Sequence, residues 1–167
     1  FLAAVVVHPE RDGAHIAEVG QLYGLTHGLE AVGLILQVVG LFSLAWLGAD
    51  VVKLEEPNRG EPGRWGFTDR PDADSHYFIY YNLNKRSVTC NLKSDAGKAL
   101  LTRMIAEADV LIENMAPGTF ARLGFDYPKL SAINPRLIFA QVKGFAPESE
   151  HANYLAFDMI AQAMGGT

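Results

Sequence analysis

Cysteine is almost missing from this chain. Its 167 residues hold one, Cys90, so no disulfide can form within it, which suits a reducing compartment such as the cytosol. Cys90 lies between Thr89 and Asn91 in a strand-like stretch and reads as a small buried apolar residue, not a reactive thiol. Positive charge is also scarce. Fourteen Lys and Arg face 19 Asp and Glu, giving a net charge of −5, and the basic stripe of a nucleic-acid binder is lacking. No Gly-x-Gly-x-x-Gly follows a strand and no Gly-Lys-Ser/Thr phosphate loop occurs, so neither a nicotinamide dinucleotide nor a nucleoside triphosphate is indicated. No His/Cys group has metal-ligand spacing, and no metal is expected. Residues 1–7 are apolar but have no basic region before them and no signal-peptide layout. The first residue is Phe, and the chain reads as a fragment of a longer one.

What is present is ordinary for a globular protein: 49% hydrophobic and 20% charged residues, at a length that fits one domain or part of one. Residues 31–49, AVGLILQVVGLFSLAWLGA, form an apolar run long enough to raise a membrane span. Glycines interrupt it and Asp50 and Lys53 follow at once, so a buried strand, a turn near Gly40 and a buried helix is the preferred reading.

From Asp50 onward strands alternate with helices. Residues 51–55 read as a strand, and 57–74 as a loop rich in Pro, Gly, Arg and Asp. Residues 77–81 are aromatic and leave helix and strand both open. Residues 87–92 are β-branched and strand-like. Ser94 or Asp95 caps a helix over 95–107, whose Leu100, Leu101, Met104 and Ile105 fall on one face. Residues 110–112 form a buried strand ending at Glu113-Asn114. Pro117-Gly118 opens a short helix carrying Arg122 and closed by Gly124. Asp126 caps a helix with Pro128 in its first turn, ending at Asn134-Pro135; 137–142 is a strand and 154–163 a last helix. This alternation implies an α/β fold with a mainly parallel sheet and flanking helices. Ligands of such sheets sit beyond the strands' carboxyl ends, which here carry Glu55-Glu56, Glu113-Asn114 and Lys143-Gly144.

Five segments, in order, resemble the family III coenzyme A transferases of CaiB/BaiF type, relatives of formyl-CoA and carnitine-CoA transferases. They are LGADVVKLEEP at 47–57; NLNKRS at 82–87 with Leu92-Lys93; ADVLIEN at 108–114 with Pro117-Gly118; LGF at 123–125 with NPRLI at 134–138; and KGF at 143–145 with FDMIAQAMGG at 157–166. The resemblance is strong over about 40–167. Residues 29–36 resemble the family's first strand and 37–40 its Gln-containing segment. Residues 1–28 match nothing in the family. The chain thus reads as an unmatched segment, 1–28, followed by the N-terminal part of a CoA-transferase large domain, 29–167, which the resemblance implies is a Rossmann-like α/β domain.

The resemblance implies a CoA thioester as substrate. It puts Lys93 and Arg122 at positions that contact CoA in relatives, with Asn114, Met115 and Leu123 lining the same groove. Ala156, Phe157 and Asp158 lie near the thioester end. Asp158 and Gln37 are auxiliary catalytic candidates. The nucleophile, an Asp, is expected after Gly165-Gly166 and beyond Thr167, so this chain alone is expected to be inactive. Plainer readings stand beside these: solvated surface charge for Lys93 and Arg122, a cap on the helix at Pro117 for Asn114, and a cap on the helix from Met159 for Asp158. Arg59, Arg64 and Arg70 read as surface cations that keep a loop soluble, in preference to phosphate clamps. Two rivals remain. An α-methylacyl-CoA racemase would carry His where Phe157 stands, and an inactive CoA-binding remnant would bind without turnover. The resemblance further implies acyl-CoA and carboxylic acid as partners, a cytoplasmic location, an interlocked homodimer at full length, and no nucleic acid or membrane partner.

Overall fold

The computed structural model describes residues 3–7, 43–66, 68, 70, 72–155, 160, 163 and 164. Five strands form one sheet: β1 (Ala3–Val7), β2 (Asp50–Glu55), β3 (Lys85–Thr89), β4 (Val110–Glu113) and β5 (Ile138–Gln141). Their order is β3-β2-β1-β4-β5. β2 pairs with β3 and β4 with β5 in parallel, whereas the central β1 runs antiparallel to both its neighbours. Four of the five strands therefore point the same way, and the fold is α/β. The central place of residues 3–7 was not anticipated, because a short apolar segment carries no mark of its distant partners.

Each helix has a local cause. α1 (His76–Tyr81) starts behind Ser75, whose side chain accepts from the Phe78 N–H. α2 (Asp95–Glu107) begins behind Ser94, whose Oγ accepts the Gly97 N–H at 3.1 Å. α3 (Thr119–Arg122) starts behind Gly118 and is followed by Gly124 at φ 91°, the left-handed turn that glycine takes without steric cost. Asp126 caps α4 (Tyr127–Ile133) by accepting from the Lys129 N–H at 3.0 Å. Residues 62–64 add one tighter helical turn inside the loop after β2.

Alternation along the strands splits the core in two. Leu54 and Leu111 face one side, where they pack with Leu101 and Ile105 of α2, Phe120 of α3 and Leu130 of α4. Val51 faces the other, beside Ala45, Val110 and Ile112. Full burial of side chains such as Leu101 and Ile105 contributes about 1.5–3 kcal/mol each. Cys90 is buried as expected, and burial pushes its thiol pKa up.

The expected helix over 154–163 is shortened at its start, for Tyr154 lies in a bend whose N–H donates to the His151 carbonyl at 2.8 Å. Most of the 31–49 run, the strand at 29–36, Gln37, Ala156, Phe157 and Asp158 fall outside the described residues. Among the described residues no helix is long and apolar enough to cross a membrane.

Candidate functional site at the strand tips

The parallel strands end along one edge, at Glu55, Thr89, Glu113 and Gln141. The antiparallel β1 brings its amino end there, with Ala3 opposite Glu113. Strand order reverses between β1 and β4, the place where open α/β sheets admit ligands.

Glu113 is the buried centre of this edge, with no exposed surface. Its Oε1 accepts from Gln141 Nε2 and from Lys143 Nζ, both at 2.6 Å. Its Oε2 accepts the Met115 N–H at 2.7 Å. Lys143 Nζ donates again, to the Met115 carbonyl, at 2.7 Å. Of the charged residues noted at strand tips in the sequence, Glu113 and Lys143 are thus linked to each other and to the loop after β4. The signal available beforehand was an opposite pair of charges at the ends of two adjacent strands.

That loop leads into α3 through Gly118, at φ 70°. Arg122 folds back over it: Nη2 donates to Thr119 Oγ1 at 2.8 Å and Nη1 to the Pro117 carbonyl at 3.4 Å. A Cβ at Gly118 would meet only the end of the Arg122 side chain, which can swing aside, so it is the left-handed backbone turn that calls for glycine here. Asn114, Met115 and Arg122 are therefore gathered on one short loop and its helix. Met115 and Leu123 also pack against the core beneath it. Asn114 is not the cap of α3, which begins at Thr119 behind Gly118. Lys93 belongs to the loop after β3, exposed, its backbone N–H donating to Asn91 Oδ1 at 3.0 Å. β3 and β4 are three strand spacings apart, about 14 Å.

The opposite face of β2 carries a second polar cluster. Arg64 grips Glu55 with Nε and Nη2, both at 2.8 Å, and donates from Nη1 to Asp74 at 2.7 Å. Its guanidinium lies 3.9 Å from the Phe78 ring centre. This corrects the expectation for Arg64: it pins the loop to the sheet and is not a free surface cation. Burial pushes the Glu55 carboxyl up, but the Arg64 and Ser87 hydrogen bonds outweigh that and hold it below its usual value. Lys53, only 1% exposed, donates to Asn82 Oδ1 at 2.8 Å and pairs with Glu61. Burial pulls its pKa down to about 7, against the opposing charge of Glu55. The described residues contain no group of three or more His, Cys, Asp or Glu arranged to hold a metal ion.

Comparison with known proteins agrees with this architecture. The formyl-CoA:oxalate CoA-transferase of Streptomyces coelicolor is 49% identical over 124 residues, covering 74% of this chain and 30% of the relative. That of Escherichia coli O6:H1 is 46% identical over 123 residues, with the same coverage. The chain thus spans about 30% of the length of these relatives. Among solved structures, a CAIB/BAIF family protein from Brucella suis superposes with a TM-score of 0.68 at 40% identity, over 75% of this chain and 34% of that one. Rv3272 from M. tuberculosis gives 0.67 at 30%, over 77% and 36%. The profile of CoA-transferase family III matches residues 29–167, and the chain belongs to that family.

Proposed function

We propose that this chain carries the CoA-holding part of an enzyme that moves CoA between an acyl-CoA thioester and a free carboxylic acid. The observation that carries the reading is the close match to two relatives named formyl-CoA:oxalate CoA-transferase. Formyl-CoA and oxalate are accordingly the pair to test first. CoA carries phosphates along its length, and cations with backbone N–H donors are the groups that receive them. Lys93 and Arg122 take that role, with Asn114, Met115 and Leu123 along the groove between them. Ala156 and Phe157 lie toward the thioester, and Asp158 and Gln37 tune the reacting end.

The chemistry is covalent catalysis by a carboxylate. An Asp from outside these 167 residues attacks the thioester carbonyl, and thiolate leaves with formation of a mixed anhydride. The thiolate attacks the anhydride at the enzyme's own carbonyl, releasing the acyl group as its acid and leaving an enzyme thioester. The acceptor acid then runs these steps in reverse. The complete protein works as a cytoplasmic, interlocked homodimer.

Calorimetric titration of CoA into the purified chain tests the binding half. Lys93→Met and Arg122→Met are each expected to weaken binding about tenfold, the scale of one charge-assisted hydrogen bond. Affinity unchanged by both substitutions overturns the assigned groove. The chain alone is expected not to turn over formyl-CoA with oxalate, and clear turnover would refute the external nucleophile.

A further inference from the structure

We propose that the Glu113–Lys143 pair is a positioning device: it fixes the Asn114–Met115 segment and thereby sets the affinity of the strand-tip groove for CoA. This rests on the CoA reading above and assigns the pair no contact with the ligand. Met115 offers its loop one backbone N–H and one carbonyl. The two members of a single ion pair take both, Glu113 accepting the first at 2.7 Å and Lys143 donating to the second at 2.7 Å. The acid ends β4 and the base follows β5, so the device ties two strands and one loop at a single point. Gln141 closes it from the side at 2.6 Å.

Stability alone is a poor reason for this arrangement. Glu113 has no exposed side-chain surface and Lys143 has 19%, so both charges are largely stripped of water. The desolvation of such a pair offsets most of its attraction, and two apolar side chains of similar volume hold neighbouring strands as well or better. An apolar pair cannot bond the N–H and carbonyl of one residue at once. The function left for the charges is orientation. With both Met115 groups held, the peptide before it and the Asn114 side chain start from a fixed backbone. The segment running on to Gly118 and Arg122 starts from the same point. Pre-setting that geometry removes an ordering cost from ligand binding.

The test uses the whole chain, with CoA titrated calorimetrically and the Met115 amide followed by 15N-resolved NMR. Lys143→Met removes the donor to the Met115 carbonyl but leaves Glu113 buried without its partner. The double substitution Glu113→Gln with Lys143→Met removes both charges and keeps the fold testable. Ile105→Val, a core truncation, serves as the control for general loosening. The double variant is expected to stay folded, to shift the Met115 amide resonance and to bind CoA about tenfold more weakly, while the control stays within about twofold. An unmoved Met115 resonance overturns the positioning role. So does a shifted resonance with CoA affinity within about twofold of the unsubstituted chain. Failure of the unsubstituted chain to bind CoA sinks the CoA reading itself, and is told apart because no substitution is involved.

Discussion

Gly97 occupies the first turn of α2, where alanine is ordinarily the better helix former by about 1 kcal/mol. Here the sign reverses. A Cβ at this position would sit 2.0 Å from the Asn91 carbonyl oxygen, and backbone cannot swing aside as a flexible side chain can. Gly97→Ala is therefore expected to destabilise the chain by about 2–3 kcal/mol, the scale of forced overpacking. A lowered urea midpoint at unchanged slope reports it, and a raised midpoint contradicts the close approach. The helix around Gly97 is legible in sequence because caps act within a few residues: Ser94 and Asp95 are both cap candidates, Ser94 is the cap in the structure, and α2 has the expected bounds. The need for glycine was not legible, since it depends on a carbonyl across the turn. Asn134 shows the same division. Its place at a helix end was readable, but its side-chain bonds to the Ile105 and Ala108 carbonyls, 2.9 and 2.7 Å, require the folded chain.

At the scale of elements, β2 reads as a short strand and its parallel pairing with β3 fits the strand–helix alternation, whereas its antiparallel pairing with β1 has no sign in the sequence. The partners of its charged half have none either. Lys53 and Glu55 share the face of Val51, and the groups that satisfy them come from the next loop, α1 and β3. Sequence spacing gives no hint of which loop residues will fold back. The tip site divides in a similar way: β2 and β4 end where expected, at Glu55 and Glu113, but β3 ends at Thr89 instead of Leu92 and β5 at Gln141 instead of Val142, and the bonds among Glu113, Lys143 and Met115 depend on β4–β5 register. The β2 cluster makes stability depend on pH with a definite sign. In the unfolded chain lysine titrates near 10.4. In the fold, burial brings Lys53 to about 7, and burial likewise brings Lys85 to about 8. Below pH 7 both states carry the Lys53 proton and the cost of burying it is full. Between the two values the unfolded state holds more protons, so stability rises with pH, by at most about 1.4 kcal/mol per unit for Lys53. Urea unfolding at a series of pH values from neutral to mildly alkaline is expected to show that rise. Lys53→Met is expected to flatten its lower part, where Lys85 has yet to titrate. A stability that is flat or falls over this window contradicts a charge-stripped Lys53.

At the scale of the whole molecule, the chain spans about 30% of the length of the curated relatives, and its surface carries several large exposed apolar residues. Ala45 is 1% exposed, whereas its neighbours Trp46 and Leu47 are 60% and 83% exposed. Ile79 and Tyr80 of α1 and Tyr154 and Leu155 also face solvent. Single exposed apolar residues are normal, but large ones grouped in adjacent positions favour association. The sheet edges are better guarded. β3, one outer strand, carries Lys85 and Arg86, and β5, the other, is four residues long; charge and shortness both discourage strand addition. Association should therefore run through apolar faces and not through strand pairing. In sedimentation velocity the chain is expected to form larger species as its concentration rises, without a gain in β-structure by circular dichroism. Trp46→Lys with Leu47→Lys, on the side of the sheet away from the Glu113 tip, is expected to shift the distribution toward monomer while leaving CoA affinity in place. A chain that stays monomeric at every concentration contradicts the apolar-face account, and association accompanied by new β-signal would move the cause to the strand edges.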